Sequence, residues 1–254
     1  MRWTFFDDGF NSGSYNMEFD LKLARTLEEN EAALRLYRWK PYCISLGANQ
    51  SEESLDLKKI TEDRLDLVKR PSGGRAILHS EELTYSVAYH ASELLNPKDL
   101  YKEINLALKK GLTLFDSILE ELDLEHLQPH FPSFYKKDKS AVCFAVSSQN
   151  EINYKGKKLV GSAQRKIVNV ILQHGSILCG DYHKRITDYL ALPDDMLCEI
   201  RDEMDTTTTD LHEILGYEIN ITDLIANIKK GFELHFGIDF QNSQKEFKPE
   251  LSFN

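Results

Sequence analysis

Cysteine is scarce in this chain of 254 residues, and Cys43, Cys143, Cys179 and Cys198 lie far apart. With no CxxC pair and no short Cys/His cluster, neither a zinc site nor a disulfide framework is expected, so the four read as free thiols. Long apolar runs are missing too, and none reaches the roughly 18 to 20 residues that a membrane helix needs. The opening "MRWTFFDDGFNSGSYNMEFD" carries acidic residues where a secretory signal would be apolar. The expectation is a cytoplasmic protein that engages no membrane. Neither GxxxxGK[ST] nor GxGxxG occurs, which argues against a phosphate loop and a dinucleotide fold. Nor is there an excess of basic charge: the formal net charge of -10 speaks against a nucleic-acid partner.

What the chain does have is core material, with 41% hydrophobic residues. That is enough for residues 1–254 to form one large domain, or one domain with a short appendage, and a monomer is the simplest assembly. Helical spacing is legible in "NMEFDLKLARTLEEN", with Asn16 as a candidate N-cap, in "NPKDLYKEINLALKKGLTLFDSILEELDL", where Gly111 weakens the middle, and in "TDLIANIKKGFELHFGIDF". "ALRLYRWKPYCISLGA" reads as a strand pair interrupted by Pro41, and "KLVGSAQRKIVNVILQHGSILC" as two strands joined through a glycine-containing turn. Strands in the middle with helices before, between and after predict an α+β fold, helices packed on a mainly antiparallel central sheet. Cys43, Cys179 and Cys198 read as packing residues and His174 as a structural strand histidine. The Thr206 to Thr209 run reads as a polar helix start or loop.

Two stretches carry chemistry. In "KRPSGGRAILHSEELTYS", Gly73 and Gly74 allow positive φ and close approach of a ligand, after a turn set by Pro71 and Ser72. Arg70 and His79 flank them. In "KKLVGSAQR", Lys158 stands three residues before Gly161, with small Ser162 and Ala163 following, so an ammonium and a tight backbone could face one pocket. Cys143, in "SAVCFAV", is either a small buried hydrophobe or a nucleophile activated by nearby cationic potential. A basic island surrounds it. From Tyr135 to Lys166 there are eight cationic side chains against Asp138 and Glu151, either a solvated loop or a landing site for an acidic partner.

These stretches, together with "WTFFDDGFNSGSYNMEFD", "RWKPYCISLGANQ" and the pair Cys143–Phe144, resemble the biotin/lipoate protein ligase superfamily and, within it, the cysteine-dependent octanoyltransferase branch. Their order matches the family and covers about two thirds of the chain. The resemblance implies a biotin/lipoate ligase-like catalytic domain that takes octanoate from acyl carrier protein and passes it to a lysine of a lipoyl domain, in 2-oxoacid dehydrogenase or glycine cleavage proteins. It further implies Cys143 as the thioester-forming nucleophile and Lys158 as acid and base. Arg70, Gly73, Gly74, His79, Gly161, Ser162 and Ala163 would line the substrate pocket, and no metal or cofactor would be required. The chain departs from the family in "AVSSQNEI" after Cys143–Phe144, where a proline and an aromatic are usual. It also has Arg75 where ATP-dependent ligases carry glycine. Three rival readings remain: an ATP- and magnesium-dependent lipoate ligase, a lipoyl or octanoyl amidotransferase, and a non-catalytic carrier-protein binding module.

Overall fold

The computed structural model describes residues 1–91, 95–124 and 151–241. Cys143, with Lys136, Lys137 and Lys139, lies outside the described residues. Along the chain run β1 (Arg2–Asn11), α1 (Gly13–Thr26), β2 (Glu31–Trp39), β3 (Cys43–Leu46), α2 (Leu57–Glu62), β4 (Asp66–Lys69), β5 (Ile77–His79), β6 (Glu82–His90), α3 (Pro97–Phe115), β7 (Leu122–Leu124), β8 (Ile152–Tyr154), β9 (Lys157–Ile167), β10 (Val170–Leu178), α4 (Asp194–Thr207), α5 (Leu211–Leu215) and α6 (Ile221–Phe236). Seven strands form one sheet in the order β1-β2-β6-β10-β9-β8-β7, and β4-β3-β5 form a second. In the large sheet only the β1–β2 pairing is parallel. The expected α+β fold on a mainly antiparallel sheet is therefore what the chain adopts.

Side-chain alternation gives the large sheet two unlike faces. Leu34 and Leu36 of β2, Leu83, Tyr85 and Val87 of β6, and Ile171 and Ile177 of β10 share a core with Ile104, Leu108 and Leu112 of α3 and Leu224, Ile228 and Phe232 of α6. The opposite face is apolar only at one end, where Ala33, Ala88 and Leu172 meet Phe19 and Leu23 of α1. Towards the other end it turns polar, with Arg35, Glu82, Thr84, Ser86, His174 and Ser176 all buried. Covered by α1 and the small sheet, that polar half becomes the floor of a pocket.

Several local readings are corrected. The N-cap of α1 is Ser12, whose side chain accepts from the backbone N–H of Tyr15. Asn16 is buried inside the helix instead, accepting from Arg35 Nη2 at 2.6 Å. The strands around Pro41 do not pair: β2 joins the large sheet and β3 the small one. The β9–β10 turn contains no glycine, since Val168, with φ of 53°, and Asn169 connect the strands. Gly161 and Gly175 sit within strands. A Cβ on Gly175 would come within 2.3 Å of the Gly161 carbonyl oxygen, so glycine there serves close strand packing. The threonine run closes α4 rather than opening a helix, and Thr208 is buried against β9 through a bridge to Lys158. Of the three described cysteines, Cys43 and Cys179 are buried as packing residues should be, whereas Cys198 is exposed.

Candidate active site

A pocket of about 470 Å³, counting its open mouth, lies between the polar half of the large sheet and the small sheet, with walls that are mostly apolar in exposed surface. Its lining crosses four adjacent strands of the large sheet. Tyr37 and Trp39 come from β2, Thr84 from β6, His174 to Ser176 from β10, and Lys158 with Gly161 to Ala163 from β9. Met17 of α1 and Ser45, Arg70, Ile77 and His79 of the small-sheet layer close it.

The structure thus gathers six of the sequence-selected residues in one place: Lys158, Gly161, Ser162, Ala163, Arg70 and His79. Gly73 and Gly74 are exposed on the loop before β5 and are not among the lining. Gly74 has φ of 99°, where glycine is favoured, and its carbonyl oxygen lies so close to Gly47 that a Cβ on Gly47 would meet it at 2.1 Å.

Lys158 is 1% exposed, and its Nζ lies 2.9 Å from Glu151 Oε2. The other oxygen of Glu151 accepts from the Ser162 N–H at 3.3 Å. A buried charge is tolerable only when paired and hydrogen-bonded, and Glu151 meets that need for Lys158 while tying it to the small-residue stretch of β9. Sequence reading missed Glu151, which follows a polar run without periodicity.

Two carboxylate–histidine pairs also border the pocket. His79 stacks on Trp39 with centroids 4.1 Å apart. It places Nδ1 2.9 Å from Glu82 Oε1 and Nε2 2.8 Å from Ser45 Oγ. Glu82 Oε1 also accepts from Ser176 at 2.7 Å and from Thr84, which in turn accepts from Trp39 Nε1. Burial raises the Glu82 carboxyl's pKa, but His79 and these hydrogen bonds outweigh it and hold the group below its ordinary value. His174, expected to be structural, places Nε2 at the Ser72 hydroxyl and Nδ1 3.4 Å from Asp20 Oδ2. Asp20 is fully buried, yet His174 and Arg35, the latter at 2.9 Å, keep its carboxyl below the ordinary range. Asp20 and Trp39 were missed; Glu82 stood in the "ELTYS" string without a role.

Arg70 is 4% exposed, and both of its terminal nitrogens are committed. Nη1 donates to the backbone oxygen and the hydroxyl of Ser45, and Nη2 to the Gly73 and Arg75 carbonyls. It braces the pocket wall rather than offering its charge to a ligand. Among the described residues, no group of three or more His, Cys, Asp or Glu side chains is arranged to hold a metal, and no helix is long and apolar enough to cross a membrane. The pocket therefore combines mostly apolar walls with a lysine nitrogen held among them by a carboxylate.

Comparison with known proteins identifies the family. The family model of the lipoyl protein ligase A/B catalytic domain matches residues 12–233. The chain is 30% identical over 241 residues to the octanoyltransferase LipM of Geobacillus kaustophilus, across 91% of this chain and 85% of that protein. Identity is 31% over 262 residues to the octanoyltransferase LipM of Macrococcus caseolyticus, across 98% and 91%. Among solved structures, the bipartite lipoate protein ligase of Thermoplasma acidophilum superposes with a TM-score of 0.77 at 18% identity, covering 97% of this chain and 89% of that one, a likeness of fold. The chain belongs to the lipoyl protein ligase A/B catalytic domain family.

Proposed function

We propose that this chain is an octanoyltransferase that moves octanoate from acyl carrier protein, through a thioester on Cys143, to a lysine of a lipoyl domain. The observation that carries the reading is the buried Lys158–Glu151 pair at the wall of an apolar pocket, in a chain about 30% identical to octanoyltransferases along most of its length. The lining spans four adjacent strands and is mostly apolar, the surface an acyl chain would pack against.

In the first half-reaction Lys158, having handed a proton to its partner Glu151, takes the proton of the Cys143 thiol as the sulfur attacks the carrier thioester carbonyl. The carbon–sulfur bond to the carrier then breaks, and the departing thiol takes that proton. In the second, the amine of the acceptor lysine attacks the Cys143 thioester and loses a proton by the same route. An amide forms and the cysteine thiol is restored. Acyl transfer between a thioester and an amine is downhill, so no ATP is consumed. The donor and the acceptors, lipoyl domains of 2-oxoacid dehydrogenase or glycine cleavage proteins, place the work in the cytoplasm, with the chain acting as a monomer.

Incubation with octanoyl carrier protein, followed by intact mass measurement, tests the reading. A single octanoyl adduct that disappears in Cys143→Ser, and transfer to a lipoyl domain without ATP, are expected. Transfer that requires ATP, with no adduct, would instead make the chain a ligase.

A further inference from the structure

The "ELTYS" glutamate is absent from the chemistry above, yet it is among the most elaborately held groups in the pocket wall. Glu82 is 3% exposed, its Oε1 takes three hydrogen bonds, and its Oε2, also buried, has no partner. A buried carboxylate with one oxygen unsatisfied costs stability, and such a group calls for a reason.

Donor and acceptor roles around it can be settled by elimination. Arg70 has only hydrogens to give, so the Ser45 hydroxyl accepts at 3.1 Å from Nη1. The one hydrogen of Ser45 is then left for His79 Nε2 at 2.8 Å. His79 must accept there, which puts its own hydrogen on Nδ1, where it is donated to Glu82 at 2.9 Å. A doubly protonated ring would leave the Ser45 hydrogen without an acceptor in a fully buried place and would set a second cation against the same oxygen as Arg70. The polarity of the chain thus runs from Arg70 to Ser45, from Ser45 to His79 and from His79 to Glu82.

Its far end is the glycine loop. The second terminal nitrogen of Arg70 holds the Gly73 and Arg75 carbonyls at 3.0 and 2.6 Å. Between them Gly74 sits at φ of 99°, with its carbonyl pressed on Gly47.

We propose that Glu82 is a positioning residue that orders the Arg70–Arg75 loop at the edge of the pocket through His79, Ser45 and Arg70. Its carboxylate fixes the His79 tautomer, the tautomer fixes the direction of the Ser45 hydroxyl, and the free Ser45 lone pair anchors Arg70. The role in acyl binding rests on the transferase reading; the ordering of the loop does not.

The test begins with the wild-type protein. It has eight histidines, few enough that the ring nitrogens of His79 can be assigned in a nitrogen-15 NMR spectrum by comparison with His79→Asn. Hydrogen on Nδ1 and a bare Nε2 are expected; hydrogen on Nε2 overturns the proposal. Next, hydrogen–deuterium exchange of the peptide covering residues 70–76 is followed in Glu82→Gln and in Ser45→Ala. The latter cuts the chain without touching the carboxylate and keeps the test open if Glu82→Gln fails to fold. Exchange should quicken in that peptide, and KM for the octanoyl donor should rise about three- to tenfold, the size of one lost hydrogen bond, with kcat changed less. Unaltered exchange in Ser45→Ala overturns the idea, and Glu82 is then only part of the core. Should no acyl adduct form on Cys143, the transferase reading fails while the tautomer and exchange results stand.

Discussion

At the scale of single residues, Lys158 can serve as a general acid and base only if its nitrogen is held at the pocket wall and kept from bulk water. Both conditions are met by Glu151, with side-chain exposures of 2% and 3% for the two partners. Arginine in its place could keep the ion pair but would stay protonated at any working pH. Lys158→Arg should therefore fold with an unfolding midpoint close to wild type while acyl loading of Cys143 slows about 10²- to 10⁴-fold, the usual share of general acid–base catalysis. Quenched-flow loading combined with thermal unfolding separates the two effects, and wild-type turnover would reduce Lys158 to charge pairing. Glu151→Ala should do the reverse in emphasis. It strands a buried cation and should cost about 3–5 kcal/mol of stability in urea titrations, so a loss under 1 kcal/mol would contradict the buried pairing.

Among elements, the pairing of α3 with α6 shows where a local rule is overridden by packing. Gly111 was read as a weak point of its helix, but a Cβ there would lie 2.6 Å from the Ile228 Cα, and one on Gly231 would lie 2.4 Å from the Gly111 nitrogen. Two helices that touch backbone to backbone cannot exchange either glycine for the better helix former. The intrinsic gain of alanine, about 1 kcal/mol, should be outweighed by the displacement, so Gly231→Ala should lower stability by about 1–3 kcal/mol net, read as a shifted urea midpoint at unchanged slope. Stabilisation instead would show that the helices can part at little cost. The same contrast explains how far the sequence could be read. Helices α3 and α6 and strands β9 and β10 were legible because their periodicity is local. A glycine was expected in the turn between β9 and β10, whereas Gly161 and Gly175 sit within the strands, because closeness between strands leaves no trace in either strand alone. Nor does local pattern say that β2, ending at Trp39, and β3, starting at Cys43, part into different sheets. For the site, small residues and Lys158 were visible as a motif, whereas Glu151, Asp20 and Glu82 acquire meaning only from partners distant in sequence or across a sheet.

For the whole molecule, the proposed transfer raises the question of how a chain of net charge -10 would meet acidic carrier proteins. The basic island between Tyr135 and Lys166 looked like the answer, but part of its charge is spent internally. Lys155 pairs with Glu121, Lys157 with Glu213 and Lys158 with Glu151, leaving Arg165 and Lys166 exposed at the end of β9. Steering should then rest largely on Lys136, Lys137 and Lys139, which precede Cys143 in the sequence. Reversal of these three to glutamate should slow acyl loading of Cys143 at low ionic strength through encounter alone, leaving the rate at saturating donor unchanged. Because the interaction acts at long range, the deficit should shrink as salt shortens the Debye length from roughly 30 Å at 0.01 M to about 8 Å at 0.15 M. Loading rates across that salt series decide the matter. A deficit that persists undiminished at 0.15 M salt would mean that the lysines touch the carrier directly, and equal rates at 0.01 M would return them to a solvated loop.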